Sequence, residues 1–252
     1  MAFVAGADGG TRGTPVRGWW SRWEPVTGVA FVVLFVVAFY INQAPGDGAP
    51  NAVWLKTYAN SGNQILFVVS GFMLVIASLC LLAFVNSLWS RIAAARRPQE
   101  TSRLPRAGAG LAAAAIALGA VLAATVPGTM IFRSHLAAGQ LRLPSADILR
   151  LTADAFFAFV SVAGMFGVAL AIAGLGVQAR SAGLFGRWFA TTSIVVAIIT
   201  LFSFGYYPMI APMLWFLVVS IMLLRRDSVV ATSPATVNSM AAPTPTTSAG
   251  QS

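Results

Sequence analysis

The longest apolar run of the chain extends from Trp188 to Leu224 almost without interruption. A single α-helix over this run would measure about 55 Å, because each residue adds 1.5 Å along the axis. The hydrocarbon core of a bilayer is about 30 Å thick, and the tilts seen in membrane helices do not absorb the difference. The run therefore predicts two membrane helices, with the Gly-Tyr-Tyr-Pro segment at 205–208 as the turn between them.

The remaining apolar runs extend this pattern to the whole chain. Hydrophobic residues make up 58% of the 252 residues and charged residues only 9%, whereas soluble domains carry about 25% charged residues. The runs are continuous and do not alternate as barrel strands do. We therefore predict an all-α polytopic membrane helix bundle with about six transmembrane helices. The predicted spans are at about 26–43, 64–88, 107–132, 155–177, 186–205 and 208–224.

Both ends of the chain lack a hydrophobic period. Residues 1–25 are predicted to form a disordered basic tail that ends in a tryptophan collar, and residues 226–252 a disordered C-terminal tail. The transmembrane domain then covers residues 26–225. A cleaved signal peptide is the alternative for the first span, although the charged leader is long for such a peptide.

The basic residues flank the apolar runs and form no patch with interleaved aromatics, so no nucleic-acid partner is expected. With six spans, twelve of the 16 Lys and Arg residues fall on one side. The other four are Lys56, Arg133, Arg142 and Arg150. The positive-inside rule then predicts that both termini are cytoplasmic. Fifteen arginines against one lysine, together with many Ala, Gly and Val residues, suggest a GC-rich bacterial genome, so we expect a bacterial plasma (inner) membrane.

Small residues recur at a spacing of four in the third and fourth predicted spans. The two sets are Ala115, Gly119 and Ala123, and Ala163, Gly167 and Ala171. Small side chains on one helix face let two backbones approach closely, which is a main source of helix association in lipid. We therefore expect the third and fourth spans to pack against each other.

No pattern of catalytic or ligating residues is present. The chain has one histidine, whereas a membrane haem usually needs two axial ligands, and the clustered ligands of a zinc site are missing. Ser70 precedes a glycine but lacks the Gly-x-Ser-x-Gly frame of a nucleophile elbow. Its hydroxyl is expected to bond to its own helix. We expect no cofactor, no metal and no enzymatic activity.

The polar stretch between the third and fourth spans holds the candidate polar site. Its residues are Arg133, His135, Asp147, Arg150 and Asp154. Ser145 is the expected N-cap of a helix on which the last three share one face. Two interpretations stay open: an interfacial structural ion pair, or a ligand or proton site at Asp154. His135 is the one side chain with an unperturbed titration near neutral pH.

The same stretch is too apolar for a loose loop, so we expect it to form a folded extracytoplasmic cap. The apolar residues concerned are Leu136, Leu141, Leu143, Ile148 and Leu149.

The tryptophan-rich basic leader, the alanine-rich third span and the arginine-rich loop at 91–106 give an overall pattern. In this pattern the chain loosely resembles the uncharacterised multi-pass membrane proteins common in GC-rich bacteria, a resemblance that carries over no functional residue. We expect a non-enzymatic binding, sensing or accessory protein. Its expected partners are the lipid bilayer and a membrane protein or a second copy of the chain. The alternative is a small secondary transporter or permease subunit that uses the Asp154 region.

Overall fold

The structure, a computed structural model, describes residues 20–46, 48–95, 102–136, 143–183, 185–202 and 207–232. Within these residues every regular element is a helix. The α-helices are α1 (Trp20–Ile41), α2 (Asn51–Ala59), α3 (Ser61–Ala94), α4 (Leu104–Leu136), α5 (Ala146–Ala158), α6 (Met165–Ser181), α7 (Arg187–Leu201) and α8 (Ile210–Thr232). A π-helical segment, Phe159–Gly164, joins α5 to α6. Most of the two predicted tails, residues 1–19 and 233–252, lies outside the described residues.

Three helices are long and apolar enough to cross a membrane. They are Ser61–Ala94, Leu104–Ser134 and the continuous helix Ala146–Ser181, which contains α5, the π segment and α6. The chain therefore has the fold of a helical membrane protein. Three further apolar segments, Pro25–Ile41, Arg187–Leu201 and Ile210–Arg225, lie within α1, α7 and α8 and have at most 17 residues. The whole helices α1 and α8 have 22 and 23 residues, about 33–35 Å at 1.5 Å per residue. The 15 residues of α7 measure about 23 Å, which is less than the hydrocarbon core.

The apolar run from 188 to 224 supplies two helices. The first, α7, ends at Leu201 and the second, α8, begins at Ile210 after a short 3-10 turn, Tyr207–Met209. The predicted turn therefore falls between the two helices, with residues 203–206 outside the described part of the chain.

The long helices pack on one another in chain order, except for the last one. Helix α3 packs between α1 and α4, α4 packs on α6, and α6 packs on α7. Helix α8 packs back on α1. Three rings mark this closure: the Phe31 and Phe216 centroids are 5.1 Å apart, and those of Phe84 and Phe216 are 5.6 Å apart. All three side chains are buried. The first and last helices are therefore neighbours in the core.

The closest helix crossing joins α4 to α6. A Cβ atom placed on Gly167 would lie 2.5 Å from the Ala112 nitrogen and 2.6 Å from the Gly108 oxygen. A Cβ atom on Gly108 would meet the Ala171 nitrogen at 2.7 Å. The two backbones are therefore in direct contact, which confirms that the third and fourth predicted spans pack together. Of the predicted positions in the fourth span, Gly167 and Ala171 are at the crossing, whereas Ala163 lies in the π segment. On α4 the crossing lies at Gly108 and Ala112, before the predicted set.

The predicted set on α4 faces the π segment. A Cβ atom on Gly119 would lie 3.1 Å from the Val160 side chain and 3.2 Å from the Phe156 carbonyl oxygen. This contact is looser than the one at Gly167, because the three nearest atoms would be 3.1–3.3 Å away.

A second apolar cluster covers one end of the bundle. It consists of Trp54, Tyr58, Phe67, Val126, Ala146 and Leu149. We call α2 and the N-terminal half of α5, which supply four of these residues, the cap. Leu149 is fully buried, whereas Ile148 is 50% exposed. The part of the predicted cap at 143–154 is thus folded, and residues 137–142 lie outside the described part of the chain.

Candidate functional site

The five predicted polar residues do not form one cluster. Asp147 and Arg150 form an ion pair one turn apart on α5, with 3.2 Å between Oδ1 and Nη1. Arg133 is exposed near the end of α4, and among the described residues no hydrogen bond or ion pair joins it to α5. The His135 backbone belongs to α4, but its side chain lies outside the described part of the chain. Asp154 lies on α5 and is exposed.

Arg150 ties the cap together. Its Nη2 donates a hydrogen bond of 2.8 Å to the Ala49 carbonyl oxygen, in the segment between α1 and α2. Its guanidinium lies over the Trp54 ring, 5.6 Å from the centroid. The Asp147 side chain is 84% exposed, so the ion pair itself contributes little. The ion pair between Arg150 and Asp147 is present at the cap. Arg150 is nevertheless held mainly by Ala49, in the loop before α2, and by Trp54 of α2.

Ser145 occupies the predicted N-cap position of α5. Its backbone is extended, with ψ at 154°, but its side chain makes no capping hydrogen bond. The first turn is held by the Ser145 carbonyl oxygen, which accepts from the Leu149 amide at 3.2 Å. Capping by the hydroxyl, as the sequence predicts, is therefore not what starts this helix.

Asp154 lines a groove of about 990 Å³ between α1, α5 and α8. The walls are apolar and include Phe35, Phe39, Phe156, Phe157, Met213 and Leu217. The Phe39 and Phe156 ring centroids are 5.9 Å apart where α1 meets α5. Asp154 lies two residues nearer the cap than Phe156, so its carboxylate is at the level where α1 ends. The groove therefore has an apolar interior and a polar mouth beside the cap.

The groove opens sideways, between helices. Val36 on α1 and Leu214 on α8 both line it and are 49% and 55% exposed. Along α1 its lining extends from Val32 to Tyr40, and Ala123 of α4 belongs to the lining as well. The rise of an α-helix makes this extent about 12 Å. In a membrane-embedded bundle such an opening faces lipid.

Three polar groups at the mouth have no partner within the described residues. The Asn42 Nδ2 and Trp54 Nε1 donors are buried without a hydrogen bond, and both residues line the groove. No hydrogen bond or ion pair of the described residues reaches the Asp154 carboxylate. Tyr58 also lines the mouth, and burial raises the pKa of its hydroxyl to about 12. The mouth therefore combines the Asp154 carboxylate with two buried hydrogen-bond donors that lack a partner.

One expectation about polar side chains is wrong. The Ser70 hydroxyl does not bond within its own helix but donates to the Ala38 carbonyl oxygen of α1, at 3.1 Å. That oxygen also accepts from the Asn42 amide at 3.1 Å, which a carbonyl with two lone pairs permits. Ser70 thus fixes α3 against the end of α1 that carries Asn42.

The groove is not among the features predicted from the sequence. Its walls come from helices that are far apart in the chain, and only Asp154 among its lining residues was a predicted site residue. Asn42 and Trp54 had no signal beyond their places at the ends of apolar segments, where such residues are common.

The described residues contain no group of three or more His, Cys, Asp and Glu side chains arranged to hold a metal ion. The chain matches no protein-family model, no curated protein and no solved structure. Fold and site together define the class: a helical membrane protein with a laterally open apolar groove.

Proposed function

We propose that this chain is a six-span plasma-membrane protein that binds an amphipathic, lipid-like ligand in the groove between α1, α5 and α8, without chemical conversion of it. The observation that carries the proposal is the groove itself, which combines apolar walls, a polar mouth and a lateral opening. Its volume of about 990 Å³ lies at the upper end of the range of about 300–1,000 Å³ typical of ligand sites. An amphipathic molecule matches both ends of this groove.

Packing supports six spans. The apolar helices α1, α7 and α8 belong to the same bundle as the three candidate membrane spans, because α1 packs on α3, α7 on α6 and α8 on α1. Of these three helices only α7, with 15 residues, falls short of the hydrocarbon core, and local thinning of the bilayer costs only a fraction of a kcal/mol per Å of mismatch.

The distribution of basic residues supports the orientation. Twelve of the 16 lie on the side of the termini, so both termini are cytoplasmic and the cap is extracytoplasmic. Cysteines at Gly48 and Ser145, in a Cys80→Ser background, should then react with an impermeant maleimide in intact cells. A cysteine at Gln99 should not react, and the opposite pattern would invert the orientation.

The depth of the groove supports a lipid-like ligand. Its length of about 12 Å along α1 fits within one leaflet, which is half of a hydrocarbon core of about 30 Å. With the mouth at the extracytoplasmic end, the groove holds the tails of a molecule from the outer leaflet and keeps the headgroup at the interface. It does not continue across the bundle, which favours binding over a path for a solute.

A matched pair of α1 variants tests this function. Val36 lines the groove and is 49% exposed, whereas its neighbour Val37 is 40% exposed and does not line it. We expect Val36→Trp to fill the groove and remove most of the lipid that co-purifies with the protein, as quantified by mass spectrometry. Val37→Trp should retain the wild-type amount. Equal retention in the two variants would show that lipid does not occupy the groove.

A secondary transporter that uses Asp154 is the second candidate. The observation in its favour is the π-helical segment, which begins five residues after Asp154 in the same helix. Such segments interrupt the regular helical bonding and occur often at functional sites. This candidate requires solute flux in proteoliposomes and loss of that flux in Asp154→Asn, whereas a binding protein gives no flux with either chain.

A further inference from the structure

The charge at the mouth of the groove limits which headgroups a bound lipid can carry. Among the described residues that line the groove, only Asp154 is charged. The nearest cation on the same helix, Arg150, is directed to Asp147 and the Ala49 carbonyl. The Asp154 carboxylate is therefore a negative group whose natural partner is a cation from the ligand. An anionic headgroup would bring a second negative charge to this place, which is unfavourable.

The two buried donors without a partner can be satisfied by a hydrogen-bond acceptor on the same ligand. A buried donor without a partner is destabilising, because it has lost its hydrogen bond to water, and Asn42 Nδ2 and Trp54 Nε1 are two such donors. Phosphate oxygens are strong acceptors for amide and indole N–H groups. A ligand with a cation and a phosphate in one headgroup satisfies the carboxylate and these donors together, after small side-chain shifts that expose the donors.

The aromatic residues at the mouth distinguish a primary from a quaternary ammonium. Quaternary ammonium groups are bound by the open faces of several aromatic rings. Here the Trp54 ring is already covered by Arg150 and stacked on Tyr58, with 6.2 Å between centroids. Tyr58 in turn stacks on Phe67 at 4.9 Å. Of the aromatic side chains at the mouth, Tyr40 is the one that is largely exposed, at 73%, and one open ring does not make a cage. The Asp154 carboxylate therefore suits a group with N–H donors, which form charge-assisted hydrogen bonds.

We propose that the groove binds an aminophospholipid, a diacyl lipid whose headgroup carries a primary ammonium and a phosphate. The ammonium donates to the Asp154 carboxylate, the phosphate accepts from Asn42 and Trp54, and the acyl chains lie against the phenylalanine and methionine walls. This assignment rests on the proposed function, because it names the headgroup of the ligand held in the same groove.

The test is a competition between lipids on the purified full-length protein. Delipidated protein in detergent is offered equal amounts of phosphatidylethanolamine, phosphatidylcholine and phosphatidylglycerol with identical acyl chains, and the bound lipid is identified by native mass spectrometry. We expect phosphatidylethanolamine to exceed each of the others about tenfold, the gain of one charge-assisted hydrogen bond. Asp154→Asn should abolish this preference. The control Asp147→Asn removes an exposed carboxylate of the same helix that does not line the groove, and it should keep the preference.

The outcomes separate the headgroup assignment from the groove function. Equal binding of the three lipids by the wild type, or an unchanged preference in Asp154→Asn, overturns the aminophospholipid assignment. The groove function still stands in that case if Val36→Trp removes bound lipid and Val37→Trp does not. If the wild type binds no lipid, or if the two α1 variants bind equally, the proposed function fails and the headgroup assignment fails with it.

Discussion

Substitution of Gly167 by alanine is expected to force α4 and α6 apart. The added Cβ atom would lie 2.5 Å from the Ala112 nitrogen, 2.6 Å from the Gly108 oxygen and 2.9 Å from the Ala112 Cα, whereas ordinary contacts begin at 3.4 Å. All three atoms belong to backbone, so no side chain can turn away and the helices themselves must move. Overpacking of this kind costs about 1–3 kcal/mol.

The expected loss is about 2 kcal/mol, which lowers the Tm by about 4–8 °C for a chain of this size. The measurement is thermal unfolding in detergent, followed by circular dichroism. Gly110→Ala is the matched control, because it lies on α4 and a Cβ atom there meets nothing within 4 Å. It should keep or raise the Tm through better helix propensity. If Gly167→Ala and Gly110→Ala unfold at the same temperature, the close crossing does not exist.

A double variant tests whether the two glycines share one gap. A Cβ atom on Gly108 would meet the Ala171 nitrogen and the Gly167 oxygen, both at 2.7 Å. Once one methyl group has separated the helices, the second finds space already made. The loss in the double variant should therefore be smaller than the sum of the single losses. Additive losses would show that each glycine is restrained by a separate contact.

Three further outcomes are expected. Arg150→Ala should destabilise the cap by about 1–3 kcal/mol, because a charged hydrogen bond is lost. Hydrogen exchange of the α2 amides should then become faster. Asp147→Ala should leave that exchange nearly unchanged, since the Asp147 carboxylate is exposed. Ser70→Ala should lower stability by about 1 kcal/mol, because the hydrogen bond to α1 is lost. The loss should be larger than in Ser78→Ala, since the Ser78 hydroxyl bonds within its own helix. Equal unfolding temperatures of the two variants would contradict this. Burial raises the pKa of Tyr58 to about 12, so as the pH rises the folded state loses the hydroxyl proton later than the unfolded state does. The free energy of unfolding should therefore fall between about pH 10 and 12. Tyr58→Phe should remove that fall, as measured by unfolding at each pH.

The helical membrane fold could be predicted because apolar runs of this length admit few structures. The pairing of the third and fourth spans was also predictable, since both carry small residues at a spacing of four. The positions on α4 that form the crossing were not. That helix is so rich in alanine and glycine that several of its faces look alike, and the choice of Gly108 and Ala112 depends on the crossing geometry.

The groove could not be predicted for a different reason. Its two principal walls, α1 and α8, are separated by most of the chain, and hydrophobic pattern gives no information on which helices become neighbours. Tryptophan beside a predicted span is common at the membrane interface. Trp54 is instead buried to 1% exposure by packing with α5 and Arg150, a contact that depends on the folded cap.

The contact between α1 and α8 sets a limit on when the protein can become complete during synthesis. Helix α1 ends at Ile41, and α8 begins only at Ile210. At the usual pace of translation the ribosome needs roughly 10–35 s to make the segment between them. During this interval Phe31 lacks the ring of Phe216, with which it makes an edge contact in the finished core. The groove lacks its α8 wall in that period. A nascent chain that stalls after α7 should therefore hold a first helix whose inner face is open, and such a chain is a defined target for membrane quality control.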